Sequence, residues 1–160
     1  MTKVVYIASQ AFSGSTVLNF SLGSHPQIVA LGDVHWLTHY SPEKLKSVQT
    51  GNCTCGQSLA SCPFWSTVFP TLIQDRALTP SKRYAFVYQQ FAKHFGDQAI
   101  AVDSSKGKNQ LKLMMTIPDV EVKSLFLLRD VRAWSISEID HRKTALQNGR
   151  VVMTGNLELD

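Results

Sequence analysis

No run of apolar residues in this chain is long enough to span a bilayer, and the first apolar stretch, "VVYIA", is too short for the core of a secretory leader. A membrane span is therefore not expected, and a cytoplasmic location is. Nor does any basic stripe interleaved with aromatics appear, although 16 lysines and arginines against 12 aspartates and glutamates leave a net charge of +4. That excess favours anionic partners, nucleic acid not expected among them. Internal repeats and low-complexity segments are also missing. What is present is an ordinary globular composition, 44% hydrophobic and 18% charged over 160 residues, enough for one core. The chain is read as a single domain, 1–160, or a large part of one.

Cysteine is scarce, and all 3 cysteines fall in one segment, "CTCGQSLASCPFW", as Cys53, Cys55 and Cys62. One local structure therefore uses them. A zinc site would need a fourth ligand, for which His35 and His39 are the nearest upstream histidines. A disulfide would have to involve Cys62, because bridging Cys53 to Cys55 would strain the bond. The reading preferred to both is a loop of reduced thiols packed beneath Phe64 and Trp65, with no metal.

Residues 3–8 read as a buried strand, and "STVLNFSLG" as a helix from Ser15 stopped by Gly23 and "SHP". "QIVALGDVHWL" is a second apolar segment ending in a polar turn, and "SPEKLKSVQTG" a short helix with Pro42 in its first turn. Residues 63–96 form a helical insertion in two pieces. Its aromatics Tyr84, Phe86, Tyr88, Phe91 and Phe95 recur at core-face spacing, so they are read as packing and not as a ligand pocket. "QAIAVDSSK" is a strand turning polar after Val102, "GKNQLKLMMTIP" a helix, "VKSLFLLRD" a strand and "VRAWSISEIDHRKTAL" a helix. Alternating strands and helices specify an α/β domain with a parallel sheet flanked by helices, whose ligands sit outside the carboxyl ends of the strands.

The segment "SQAFSGSTVL" lacks something too. Compared with the phosphate-loop pattern G-x-x-x-x-G-K-[ST], it has Ser9, Gly14, Ser15 and Thr16 at the fixed positions, so the lysine is missing. That lysine, with magnesium, offsets the charge of a transferring phosphoryl group, and triphosphate hydrolysis is not expected without it. Gly14 still lets the backbone approach an anion, and Ser13, Ser15 and Thr16 add hydroxyl donors at a helix N-terminus. Further on, Arg129 ends a strand and Ser137 lies two turns into the next helix, a fork and a hydroxyl able to clamp a phosphate.

Taken together, "FSGSTVL", "VDSSK" and "LLRDVRAWSIS" resemble the sulfotransferases that use 3′-phosphoadenosine-5′-phosphosulfate (PAPS), and "LGDVHWL" and "C-x-C-G…CPFW" look like segments of their bacterial members. The resemblance implies a fold like that of the P-loop NTPases. It also implies that Ser13, Gly14, Ser15 and Thr16 hold the 5′-phosphosulfate, and Arg129 with Ser137, eight residues on, the 3′-phosphate. Two features depart from the family. Phe12 stands where it usually has lysine or arginine, and its domain normally continues well past the 3′-phosphate helix, so the resemblance implies a C-terminally incomplete domain.

Sulfuryl groups carry less negative charge than phosphoryl groups, so their in-line transfer proceeds without magnesium, and no metal is expected. Lys106 is the candidate for the missing cation. Asp33, where related sequences often carry glutamate, is preferred to His35 as the base, with Asp103 and Ser105 as weaker alternatives. The expected reaction moves a sulfuryl group from PAPS to a hydroxyl or amine of a small-molecule or carbohydrate acceptor. A small-molecule or nucleotide kinase, and an inactive nucleotide-binding module, are the rival readings.

Overall fold

The structure, a computed structural model, describes residues 1–148. Four strands, β1 (Thr2–Ser9), β2 (Ile28–Gly32), β3 (Ile100–Lys106) and β4 (Val120–Leu127), form one parallel sheet in the order β2-β3-β1-β4. Val5 aligns with Val102, Ile7 with Leu125, and Ala30 with Val102. Val4, Tyr6, Ile7 and Ala8 are all buried, as a central parallel strand covered on both faces requires. The α/β architecture read from the alternating pattern is the one observed. Among the described residues no helix is long and apolar enough to cross a membrane.

Helix α1 (Ser15–Gly23) packs on β2 and β3. A 3₁₀ turn at His35–Thr38 precedes α2 (Pro42–Val48), whose start is fixed by Ser41: its hydroxyl accepts from Lys44 N at 3.3 Å, and Pro42 pre-sets the first turn. The same device starts α4 (Pro80–Phe95), where Thr79 accepts from Lys82 N and Pro80 follows. Between them, α3 (Trp65–Gln74) supplies Trp65, Val68, Phe69 and Leu72 to the core. Trp36 stacks on Phe69 with centroids 5.4 Å apart, and Trp65 lies among Trp36, Phe64 and Phe69. Tyr84, Tyr88 and Phe91 are buried on α4 and Phe86 partly so, which makes this face core, as its spacing predicts; Phe95 lies at its exposed margin. Arg83, also buried, donates to Tyr40 O at 2.7 Å and so clamps the segment after the 3₁₀ turn.

One boundary differs from the sequence reading. The polar run Asp103–Lys106 is not a turn after Val102 but the second half of β3, and Asp103, Ser104 and Ser105 are buried. A strand between two neighbours has its backbone satisfied by the ladder, and here the Ser105 hydroxyl and the Tyr88 hydroxyl both donate to the Asp103 carboxylate. Helix α5 (Lys108–Met114) follows at once.

The described chain divides into two compact units, the first Met1–Leu127, the second beginning at Leu128. The second contains α6 (Val131–Gln147), capped by Asp130, which accepts from Arg132 N at 2.9 Å. Glu138 and Arg142 pair one turn apart along it.

Candidate functional site

Ser9, Gly32 and Lys106 end three neighbouring strands of the first unit, so the candidate residues that follow or occupy these ends share one edge of the sheet. Ala8 aligns with Lys106 across a register shift, and Gly32 with Asp103. Lys106 has φ +69°, and Gly107 N donates to Ser105 O at 2.8 Å, closing a three-residue turn around it. Such a γ-turn with positive φ is rare and strained. Tyr6 holds it from below by donating its hydroxyl to Gly107 O at 2.7 Å. Strain held in place by the surrounding core is a mark of positions kept for function.

The turn carries the lysine to Asp33. Lys106 Nζ lies 2.7 Å from Asp33 Oδ2, and His35 Nδ1 lies 2.5 Å from Oδ1, with the His35 backbone N–H donating to the same oxygen at 3.3 Å. Burial works to raise the pKa of Asp33, but the hydrogen bonds and charges of His35 and Lys106 outweigh it and hold the carboxyl at about 2. Asp33 is thus an anion that orients two partners and a weak proton acceptor itself. With its Nδ1 turned to a carboxylate, His35 presents Nε2 as the accepting nitrogen. Its ring stacks on His39 with centroids 5.2 Å apart. Ser105 ties the two strand ends together by accepting from Val34 N at 3.1 Å.

Asp103 lies beneath. It is fully buried; its Oδ1 accepts from Ser105 N at 2.8 Å and from Ser105 Oγ, and its Oδ2 from Tyr88 at 3.3 Å. Burial pushes its pKa up to about 6, against the Ser105 bonds that lower it and with the Asp33 charge that raises it further. Between about pH 4 and 6 the folded chain therefore binds more protons at Asp103 than the unfolded chain, and its contribution to stability falls as pH rises through that window. Two pKa units correspond to about 3 kcal/mol. Asp103→Asn, which keeps acceptors for Ser105, is expected to flatten this slope and to raise stability at pH 7.5 by roughly 1–3 kcal/mol. Urea unfolding of both proteins at pH 4.5 and 7.5 measures it; parallel pH dependences would show that Asp103 is not the titrating group.

The loop from Gln10 to Gly14 leaves β1 through two left-handed residues, Phe12 at φ +62° and Gly14 at φ +90°. Gly14 adopts this conformation freely, whereas Phe12 does so at a cost of roughly 1–2 kcal/mol. The first turn of α1 has no side-chain cap, so the N–H groups of Ser15, Thr16 and Val17 are left to other acceptors. Ser15 is buried, Ser13 half-buried and Thr16 exposed, and at the start of the loop Ser9 Oγ is a buried hydroxyl without a partner. Arg129 and Ser137 belong to the second unit, Arg129 exposed just before the Asp130 cap and Ser137 half-buried in the second turn of α6. The two halves of the predicted nucleotide site thus fall in different units.

Sequence reasoning missed Tyr6 and Arg83, which hold the γ-turn and the segment after the 3₁₀ turn. The only trace either leaves is a polar end on a residue in a core-facing register. No family model, curated protein or solved structure matches the chain significantly.

Proposed function

We propose that this chain belongs to a sulfotransferase that moves a sulfuryl group from PAPS to a hydroxyl or amine of a small-molecule or carbohydrate acceptor. The observation that supports it best is the ion pair of Lys106 with Asp33. A phosphate-type loop without a lysine follows β1, and the neighbouring β3, paired with it across a register shift, ends on a lysine that in this reading supplies the missing cation. In this reading the acceptor atom attacks sulfur, the bond from sulfur to the bisphosphate oxygen breaks, and the acceptor proton passes to His35 Nε2 and not to Asp33, the base preferred from the sequence, because the carboxylate paired with Lys106 and His35 is a weak acceptor. Asp33 orients His35 and steadies the imidazolium that forms. Lys106 and the donors of Ser13 to Thr16 stabilise the charge left on the phosphate. Arg129 and Ser137 hold the 3′-phosphate.

Calorimetric titration with adenosine 3′,5′-bisphosphate, ADP and ATP tests this. Hydrogen bonds to charged groups contribute roughly 1.5–3 kcal/mol each, so the bisphosphate is expected to bind about tenfold or more tightly than ADP. Arg129→Ala should erase that preference and keep the weaker binding of the 5′-phosphate. A folded protein that binds all three alike, or that transfers only from ATP with added magnesium, would defeat the reading, the second outcome in favour of a kinase.

A further inference from the structure

The three cysteines, separated by C-x-C and x6-C spacings, converge: the Sγ atoms of Cys53, Cys55 and Cys62 all lie within 4.8 Å of one another, with Cys53 and Cys62 at 3.4 Å. Thiolates about 2.3 Å from a single tetrahedral zinc stand about 3.8 Å apart, so the three sulfurs already have the spacing of ligands around one ion. We propose that Cys53, Cys55 and Cys62 bind one zinc ion, with water in the fourth position. This departs from the packed-thiol reading of the sequence, in which the missing fourth ligand counted against a metal. Among the described residues no histidine or carboxylate completes the cluster.

The backbone closes tightly between the first two cysteines and the residues after them, Cys53 N donating to Gln57 O at 2.7 Å. Gly56, at φ +86°, makes the turn that carries Gln57 into place, and Gly56 N donates to Cys53 O at 3.0 Å. Three thiolates this close would repel one another, and a divalent cation among them offsets that repulsion. A disulfide between Cys53 and Cys62 would not account for Cys55, whose sulfur lies with the other two. Binding zinc would release up to three thiol protons and leave a site of net charge −1, the fourth position being open to solvent on the side of the exposed Cys55.

The ion would fasten the loop to the candidate site. Thr54, between two of the ligands, donates its hydroxyl to Ala30 O at 2.5 Å, and its methyl group lies beside Gly32, the residue before Asp33. On the other side Cys62 joins the core next to Phe64 and Trp65.

The test is metal analysis of the whole chain purified under reducing conditions, followed by titration of the metal-stripped protein with Co²⁺. We expect about one zinc per chain. We also expect the near-ultraviolet thiolate-to-cobalt band and the visible envelope of tetrahedral cobalt, both saturating at one equivalent and lost on adding zinc. Cys55→Ser, an exposed position whose change leaves the core intact, should weaken cobalt binding by on the order of a hundredfold while circular dichroism stays unchanged. Cys62→Ser should do the same, and if it fails to fold, Cys55→Ser still decides the matter. A folded protein without stoichiometric zinc or thiolate bands, a Cys53–Cys62 disulfide in freshly purified material, or unaltered cobalt affinity in Cys55→Ser would each overturn the assignment.

Discussion

On the proposed sulfotransferase reading, Asp33→Asn is expected to lower sulfuryl transfer by about 10²–10⁴-fold while leaving the affinity for adenosine 3′,5′-bisphosphate within about tenfold. The carboxylate is held ionised by Lys106 at 2.7 Å and His35 at 2.5 Å, so its charge, more than its shape, keeps the two partners in place. The neutral amide keeps the shape and loses the charge. Asp33→Glu restores the charge at a slightly longer reach and should recover part of the loss, which a purely structural role for Asp33 would not produce. Lys106→Met removes the cation and should cost on the order of 10²–10³ in turnover, the range found when one well-placed group facing developing charge is deleted. Steady-state kinetics without added magnesium, beside urea midpoints for each variant, separate lost chemistry from lost folding. Full activity in both Asp33→Asn and Lys106→Met would remove these residues from the reaction.

Trp65→Ala should destabilise the fold by about 3–5 kcal/mol, a large part of the 5–15 kcal/mol typical of a whole domain. Trp65 is 1% exposed and lies 4.9–5.8 Å, centroid to centroid, from Phe64, Trp36 and Phe69. Deleting it opens a cavity where the segment after β2, the cysteine loop and α3 meet, and rings fixed on three different segments cannot all move in to fill it. Chemical unfolding monitored by circular dichroism gives the difference. A loss below about 1 kcal/mol would mean that this aromatic cluster yields to solvent or repacks, contrary to its burial.

Much of the fold was legible because its signals are local. "KVVYIA" and "IAV" are short β-rich runs, Pro42 and Gly96 punctuate helices, and the spacing from Tyr84 to Phe91 marks one face of α4. The polar half of β3 was not legible, because whether Asp103 and Ser104 are buried depends on β1 and β2 flanking them, and those partners are remote in sequence. The site shows the same division. The resemblance points to Asp33, where related sequences often carry glutamate, and the strand end to Lys106, but their contact arises from the pairing of β2 with β3. The left-handed backbone of Lys106 has no signature in a residue type that rarely adopts it. The Asp33–His35 bond, by contrast, spans only two residues, but the sequence offers the two as alternative bases and not as a pair. The cysteines were recognised as one cluster, but the direction of their sulfurs is a property of the loop.

The strand order also sets a timetable. β1 and β2 never pair with each other; both depend on β3, and β1 lies between β3 and β4. The first two strands therefore leave the ribosome with no sheet to join until Ile100 and the residues after it have been made. At roughly 5–20 residues per second, that interval is on the order of 5–20 s. Throughout it "KVVYIA", which ends as a central strand of the sheet, is an unpaired apolar segment on a nascent chain, and α1 to α4 have only one another to pack against. The slow step in making this protein is then the arrival of its third strand, and a nascent chain that stalls before Ile100 should be a client for chaperones rather than a folding intermediate.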